Sequence, residues 1–398
     1  MLKRLCAALI ALLMISLGAA AEGVTLKTVS TFAGTDAASD TYVELLRLFE
    51  ERTGNRVVDS SAPSDEAWKT SVLNDFAAGN EADVLFYFCR TSESALLTRK
   101  VVPISEINAR YPDANLPEDP ACAEADGVVY AIPVRRYWEG LFVNTDLFDR
   151  YGLQYPTTWD NMTTAIRVLN EQGIVPIAVS LSDVPHYIAE FAILACGDAK
   201  AYAARPKKGE SVPQSWLAGM ELIHTLYDMG AFPKNVNATT ELETSRMFRE
   251  KRAAMQLDGS WFANGIPEEN MDTTIVLPFP ACGADADPAA CVGGVSMGFY
   301  LSRKAWEDDK KRDAAVELLT YLTTGENAAA LGGYAFSGRL LESAQEMTRD
   351  EGAMYGPIQD KMNLDARNLW FSEIPAVADG SVEARELWAR VMAMSPFD

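Results

Sequence analysis

The sequence predicts an α/β protein with more than one domain, and three observations carry that expectation. Strand and helix patterns alternate through the first ninety residues, which is how an α/β domain opens. The run Val84-Leu85-Phe86-Tyr87-Phe88 is continuously apolar between Asp83 and Arg90, the composition of a parallel strand buried on both faces. The chain has 398 residues, 48% of them hydrophobic and 10% aromatic, enough to bury more than one core and too apolar for a disordered chain.

The N-terminus reads as a secretory signal peptide. Lys3-Arg4 form a basic start, residues 5–17 form an apolar stretch too short to span a bilayer comfortably, and Ala19-Ala20-Ala21 offer small residues for cleavage. Residues 1–21 are therefore set outside the fold, and a periplasmic or extracytoplasmic protein is expected. Cys6 precedes the apolar run and is badly placed for lipid attachment. Five cysteines follow, and an oxidising compartment permits disulfides. Cys282 and Cys291 bracket a short Asp/Ala/Pro segment and suggest a local staple. Cys89 with Cys122 is a second candidate, which leaves Cys196 over; all five as small buried hydrophobes is the alternative.

The elements follow in order. Residues 24–32 read as a strand. Tyr42, Leu45, Leu46 and Phe49 stand at i, i+3, i+4 and i+7 and predict a helix that Gly54 ends. A strand over 55–59, a helix over 66–78 and the 84–88 strand complete the opening. Residues 128–143 suggest two strands joined by a corner at 133–136. Thr158 is the expected N-cap of the helix opened by Pro156-Thr157-Thr158-Trp159-Asp160. A buried strand covers 174–179, and helices cover 186–196 and 214–229, the latter with Trp216, Met220, Ile223 and Tyr227 on one face. Strands are expected over 253–257, 274–277 and, glycine-rich, 292–301. Two helices are marked by Ala315, Leu318, Leu319 and Leu322, and by Ala384, Leu387, Trp388 and Val391.

Composition and motifs narrow the chemistry. With 35 Lys+Arg against 56 Asp+Glu, the chain suits neither nucleic acid nor an anionic membrane. Two histidines, His186 and His224, and no His-Glu-x-x-His or Cys-x-x-Cys argue against a zinc site. No dinucleotide-binding or Walker A glycine pattern is present, and no metal or other cofactor is expected. Gly294-Val295-Ser296-Met297-Gly298 matches a nucleophile elbow, but a strand follows it and both histidines precede it. A carboxylate pair of the glycosidase type, formed by residues distant in sequence, stays open. His186, at a loop-to-helix junction, is a candidate ligand contact; His224, within a helix, is not.

Six segments in order along the chain resemble the extracellular solute-binding proteins of ATP-driven (ABC) sugar importers, the group that includes maltose-binding protein. They are Ala82-Asp83-Val84-Leu85-Phe86, Asp126 to Pro133 (DGVVYAIP), Phe142 to Phe148 (FVNTDLF), Tyr155 to Asp160 (YPTTWD), Phe248 to Met255, and Gly259-Ser260-Trp261. The family's Gly-Lys is replaced by Glu250-Lys251-Arg252, and the lysine after its Tyr-Asn by Thr145.

The resemblance implies an α/β two-lobe periplasmic-binding-protein fold of type II. Lobe one would be 22–134 and 296–335, lobe two 138–292 and 336–398, with crossings near 134–138, 293–296 and 337. It implies a monomer without enzymatic activity that binds a sugar or oligosaccharide between the lobes and delivers it to membrane permease subunits of an ABC importer. A secreted glycoside hydrolase and a non-sugar small solute remain the alternatives. Trp261 matches the family's stacking position. Of Tyr137 and Trp138 at the hinge, at least one should face the cleft, and Trp370 resembles a late aromatic that is either a contact or core. Arg90, and Phe32, Gly34 and Asp36, follow the ends of two strands, where ligands of α/β sheets sit. Arg135 and Arg136 are candidates to pair a lobe-two carboxylate or an acidic sugar, with a solvated surface as the alternative. Gly293 and Gly294 would allow close backbone approach.

Overall fold

The computed structural model describes residues 23–397 except Thr35, Asp65, Ser92, Glu93 and Tyr334. The leader assigned to residues 1–21 lies outside the described residues. The strands are β1 (Thr25–Val29), β2 (Arg56–Asp59), β3 (Val84–Phe88), β4 (Tyr137–Asn144), β5 (Val175–Ala178), β6 (Ala253–Gly259), β7 (Thr274–Leu277), β8 (Cys291–Gly294), β9 (Met297–Leu301) and β10 (Met354–Tyr355). They form two sheets. The first runs β2-β1-β3-β9, parallel except for β9; the second runs β10-β8-β4-β6-β5, with β7 also paired to β4.

Local chemistry explains the helices that position the sheets. In Ser39–Thr53 the four apolar residues at helical spacing all point inward, and Gly54 ends the helix in the left-handed region at φ 73°. Thr158 caps Trp159–Glu171, its hydroxyl accepting from the Asn161 N–H at 3.2 Å. The helix Pro185–Ala195 packs on the second sheet and Gln214–Asp228 packs against that helix, with Trp216, Met220 and Ile223 buried and Tyr227 only partly so.

Each sheet has its own hydrophobic core. Phe32, Phe86, Phe299 and Leu319 belong to the first; Leu141, Met255, Trp216 and Trp388 belong to the second. Among the described residues the chain passes between them three times: from Val134 to Trp138, from Gly294 to Met297, and between Leu331 and Phe336. The passages touch. Tyr137 is the ladder partner of Gly294, and a Cβ on Gly332 would stand 2.1 Å from the Val134 carbonyl oxygen.

Some expectations are corrected. The glycine-rich strand over 292–301 is two strands in different sheets, because Gly294 adopts φ 130° and turns the chain out of the second sheet. Before the corner at 133–136 the backbone makes isolated bridges, such as Ile132 to Phe299, in place of a full strand. Several helices went unforeseen, among them Ile104–Arg110, Glu241–Arg249, Gly325–Gly332, Gly338–Met347, and Leu364–Ala378, which contains Pro375. The sulfur beside Cys282 is that of Cys196, at 3.2 Å, while Cys291 is buried on β8, so the local staple does not form.

Candidate ligand-binding site

The structure brings three aromatic rings together where β4 begins, β6 ends and the helix Pro185–Ala195 begins. Tyr137 and Trp261 lie near-parallel, with centroids 6.2 Å apart and planes at 28°. Tyr187 also approaches Trp261, with centroids 6.1 Å apart and planes at 44°. Trp261 is 42% exposed, unusual for so large an apolar side chain, so part of the indole stays open to solvent. Its seat is made by Gly259: a Cβ there would fall 2.3 Å from the indole.

Buried carboxyl groups surround this wall. Glu139 is two residues along β4 from Tyr137, on the same face of the strand, and pairs in register with Gly259. It is 4% exposed, and among the described residues none hydrogen-bonds or ion-pairs with it. Burial pushes its pKa well above the carboxylate range, and Glu190, Asp360 and Asp258 push it further. Asp258, also buried, is raised to about 8 by burial and by the nearby Glu241. It accepts from the Gly259 N–H at 2.8 Å and from Gln256 Nε2 at 2.7 Å. Glu190 is raised by burial to about 7, although Tyr202 Oη and the Ile358 and Gln359 N–H groups donate to it. Ser180, Tyr187, Glu241 and Asp258 line a hollow beside the aromatic wall. Such a site presents an apolar face together with carboxyl groups that burial pushes towards the neutral acid, a form that can both donate and accept hydrogen bonds.

The other expected residues divide. His186 is stacked on Phe371, centroids 4.6 Å apart, and touches Tyr187. Its Nδ1 is buried without a partner, and burial, helped by Lys69 and Arg367, lowers its pKa to about 3. Arg90 turns back on its own half: its N–H donates to Glu124 and its guanidinium to the Ala121 carbonyl. What it offers the other half is its carbonyl oxygen, which accepts from the Lys361 ammonium. Gly293 sits in the ladder opposite Trp138, so close that a Cβ would stand 2.8 Å from the Tyr137 carbonyl oxygen; Gly294 is the turning point described above.

Three of the other expected residues are core, and Gly34 and Asp36 make contacts within the first half. Trp138 points to the opposite face from Tyr137 and is core, packed on Phe142 and Phe336. Trp370 is fully buried between Trp388 and Phe371. Phe32 is core, stacked on Tyr42 and Phe86, and Gly34 lies at φ 64° against Pro63. Asp36 is already engaged: Arg135 donates to both its oxygens, at 2.6 and 3.2 Å, and the Ala38 N–H donates to Oδ1. Arg135 therefore pairs with a carboxylate beside the first sheet; the sequence had offered a carboxylate in the second half, an acidic sugar or a solvated surface. Arg136 stands loosely between Asp119 and Glu351, at 3.8 and 4.0 Å.

Sequence reasoning missed Tyr187, Glu139 and Asp258. Tyr187 follows His186, and Asp258 precedes Gly259-Ser260-Trp261, so proximity to flagged residues was the available signal. Ser296 gives its carbonyl to the Cys89 N–H between two strands, and no helix follows it, so the elbow geometry is absent there. A broader groove lies on the first half between Arg52, Arg110, Tyr111 and Tyr321. Within it Arg52 pairs with Glu317, and the Tyr111 hydroxyl donates to Asp313. Among the described residues no cluster of three or more His, Cys, Asp or Glu could hold a metal, and no helix is long and apolar enough to cross a membrane.

Comparison with known proteins places this geometry. The family model described as bacterial extracellular solute-binding protein matches residues 33–329. The melibiose/raffinose/stachyose-binding protein MelE of Bacillus subtilis is 24% identical over 212 residues, 51% of this chain and 48% of MelE. The multiple sugar-binding protein of Streptococcus mutans is 20% identical over 254 residues, 62% of this chain and 58% of that protein. The chain thus spans about half the length of these relatives. Among solved structures, a chitin oligosaccharide binding protein superposes with TM-score 0.79 at 17% identity, covering 93% of this chain and 98% of that one. RafE in complex with raffinose superposes with TM-score 0.71 at 16% identity, covering 93% and 98%. The fold is that of the two-lobe type II periplasmic binding proteins. The chain belongs to the bacterial extracellular solute-binding proteins.

Proposed function

We propose that this protein is a non-enzymatic receptor that encloses an uncharged sugar or oligosaccharide between its two halves and presents it to the membrane permease subunits of an ABC importer. The observation that carries the reading is the Tyr137–Trp261–Tyr187 wall beside the buried, unpaired Glu139. Sugar rings offer C–H faces to such a wall and hydroxyls to such carboxyl groups. The named relatives bind melibiose, raffinose, stachyose and other sugars, which supports the same ligand class here. The lobe boundaries at 134–138, 293–296 and near 337, the leader over 1–21, the extracytoplasmic location and the monomeric state belong to this reading. Closure would be driven by ligand contacts made with both halves.

The hydrolase alternative is weaker on chemistry. Both hydrolytic schemes keep one carboxylate ionised as base or nucleophile. Here Glu139 and Asp258 are both pushed towards the neutral acid. The experiment is a thermal-shift and calorimetric panel of neutral oligosaccharides, followed by recovery of the bound sugar. Saturation at 100 times Kd should stabilise the protein by about 2.7 kcal/mol, and the sugar should return intact. Cleaved sugar overturns the receptor reading, and binding confined to charged or non-carbohydrate solutes overturns the ligand class.

A further inference from the structure

The five cysteines of the described chain are unbonded in the structure, yet four of them stand in two pairs. Cys196 Sγ and Cys282 Sγ are 3.2 Å apart, and Cys89 Sγ and Cys122 Sγ are 3.6 Å apart. The backbone holds both pairs in place independently of the sulfurs. At the first pair, the Cys282 and Gly283 N–H groups both donate to the Ala195 carbonyl, at 2.9 Å. A Cβ on Gly283 would lie 2.5 Å from the Cys196 carbonyl oxygen, so the segment 282–283 is pressed against the C-terminus of the helix Pro185–Ala195. At the second, the Arg90 N–H donates to Glu124 and its guanidinium to Ala121, joining the chain on both sides of the two sulfurs. Cys291 is fully buried on β8, among Trp138, Phe142 and Phe336.

We propose that the protein carries two disulfides, Cys196–Cys282 and Cys89–Cys122, with Cys291 left as a buried free thiol. The family is extracellular, and that environment supplies the oxidant, a protein or small-molecule disulfide. Cys282 is exposed, and its thiol is pulled below its ordinary pKa by Cys196 and by the Cys282 and Gly283 N–H groups. Its thiolate attacks the donor disulfide, forming a mixed disulfide and releasing one donor thiolate. Cys196, deprotonated, then attacks the Cys282 sulfur; the S–S bond closes and the second donor thiolate leaves. Two protons leave the cysteines and two electrons reduce the donor to thiols. Cys89 and Cys122 are 2% and 0% exposed, so their bond forms by the same exchange before the core closes over them.

The pairing has a mechanical meaning. Cys196 ends the helix that begins with His186 and Tyr187, and Cys89 precedes the carbonyl of Arg90 that receives Lys361. Each bond anchors an element of the cleft from its far side or base.

The test is alkylation of the full protein, isolated from an oxidising compartment, in denaturant without reductant. Within residues 23–397, alkylation at Cys291 alone is expected, and before alkylation the mass should lie about 4 Da below that of the reduced chain. Non-reduced peptide maps should join 196 to 282 and 89 to 122. Three or five alkylated cysteines, or a peptide joining Cys282 to Cys291, overturn the assignment. The Cys282→Ser variant should expose Cys196 to alkylation and keep the other bond. Mild reductant without denaturant should open Cys196–Cys282 at least about tenfold faster than Cys89–Cys122, following exposure; equal rates would contradict the placement of the two pairs.

Discussion

The indole of Trp261 occupies the space that a side chain at Gly259 would need, with ring atoms 2.3 to 2.5 Å from the missing Cβ. Two residues apart in sequence, they make one device: the absence of one side chain fixes the position of the other. Gly259→Ala should displace the ring into solvent, where Trp261 already has room, and leave the fold standing. We expect oligosaccharide affinity to fall about tenfold or more, roughly 1.4 kcal/mol, with an unchanged circular dichroism spectrum. Unaltered affinity would separate the indole from binding.

Trp261→Ala removes the stacking face itself. Its half-exposed position means little core is lost, so Tm should move little while titration calorimetry records a loss of binding at least as large as that of Gly259→Ala. A variant that unfolds but binds normally in its folded fraction would make Trp261 a packing residue.

Trp370→Ala should behave in the opposite way. The ring is fully buried beside Trp388, so truncation leaves a cavity and should cost about 3–5 kcal/mol in a denaturant titration. Affinity of the folded protein should persist. Lost binding at full stability would return Trp370 to the cleft.

Asp258 gives a pH signature. Burial lifts its folded pKa from the ordinary 3.8 to about 8, so the native state holds a proton that the unfolded chain releases across that window. Its contribution is complete below the unfolded value and is lost as pH rises through the folded one. In Asp258→Asn that loss is absent, because the amide does not titrate. Between about pH 4 and 8 the wild type should therefore lose Tm relative to the variant; parallel profiles would show that the group is not held protonated.

What the sequence revealed followed from short-range physics. The helix Ser39–Thr53 was legible because four apolar side chains repeat at helical spacing before a glycine. Thr158 was legible because an N-cap is a local hydrogen bond. The alternation of β4 placed one of Tyr137 and Trp138 on each face, but only the fold determines that Tyr137 faces the cleft and Trp138 faces Phe336. Residues 292–301 look continuous in sequence because both halves are strand-like; the break is one backbone angle at Gly294. Pro375 hid the helix Leu364–Ala378. Glu139 was invisible because nothing near it in sequence announces a buried acid: its setting is made by Gly259, Trp261 and Glu190, all distant along the chain.

The three adjoining backbone passages between the cores constrain how the molecule can deform. One strand would act as a swivel, and two would still leave slack. Three segments in contact, tied by the Tyr137–Gly294 ladder and by the seat of Gly332 on Val134, resist torsion and leave bending about a common axis as the soft mode. The halves can part like the covers of a book without slipping out of alignment, so each reopening brings Lys361 and Arg90 back along the same arc.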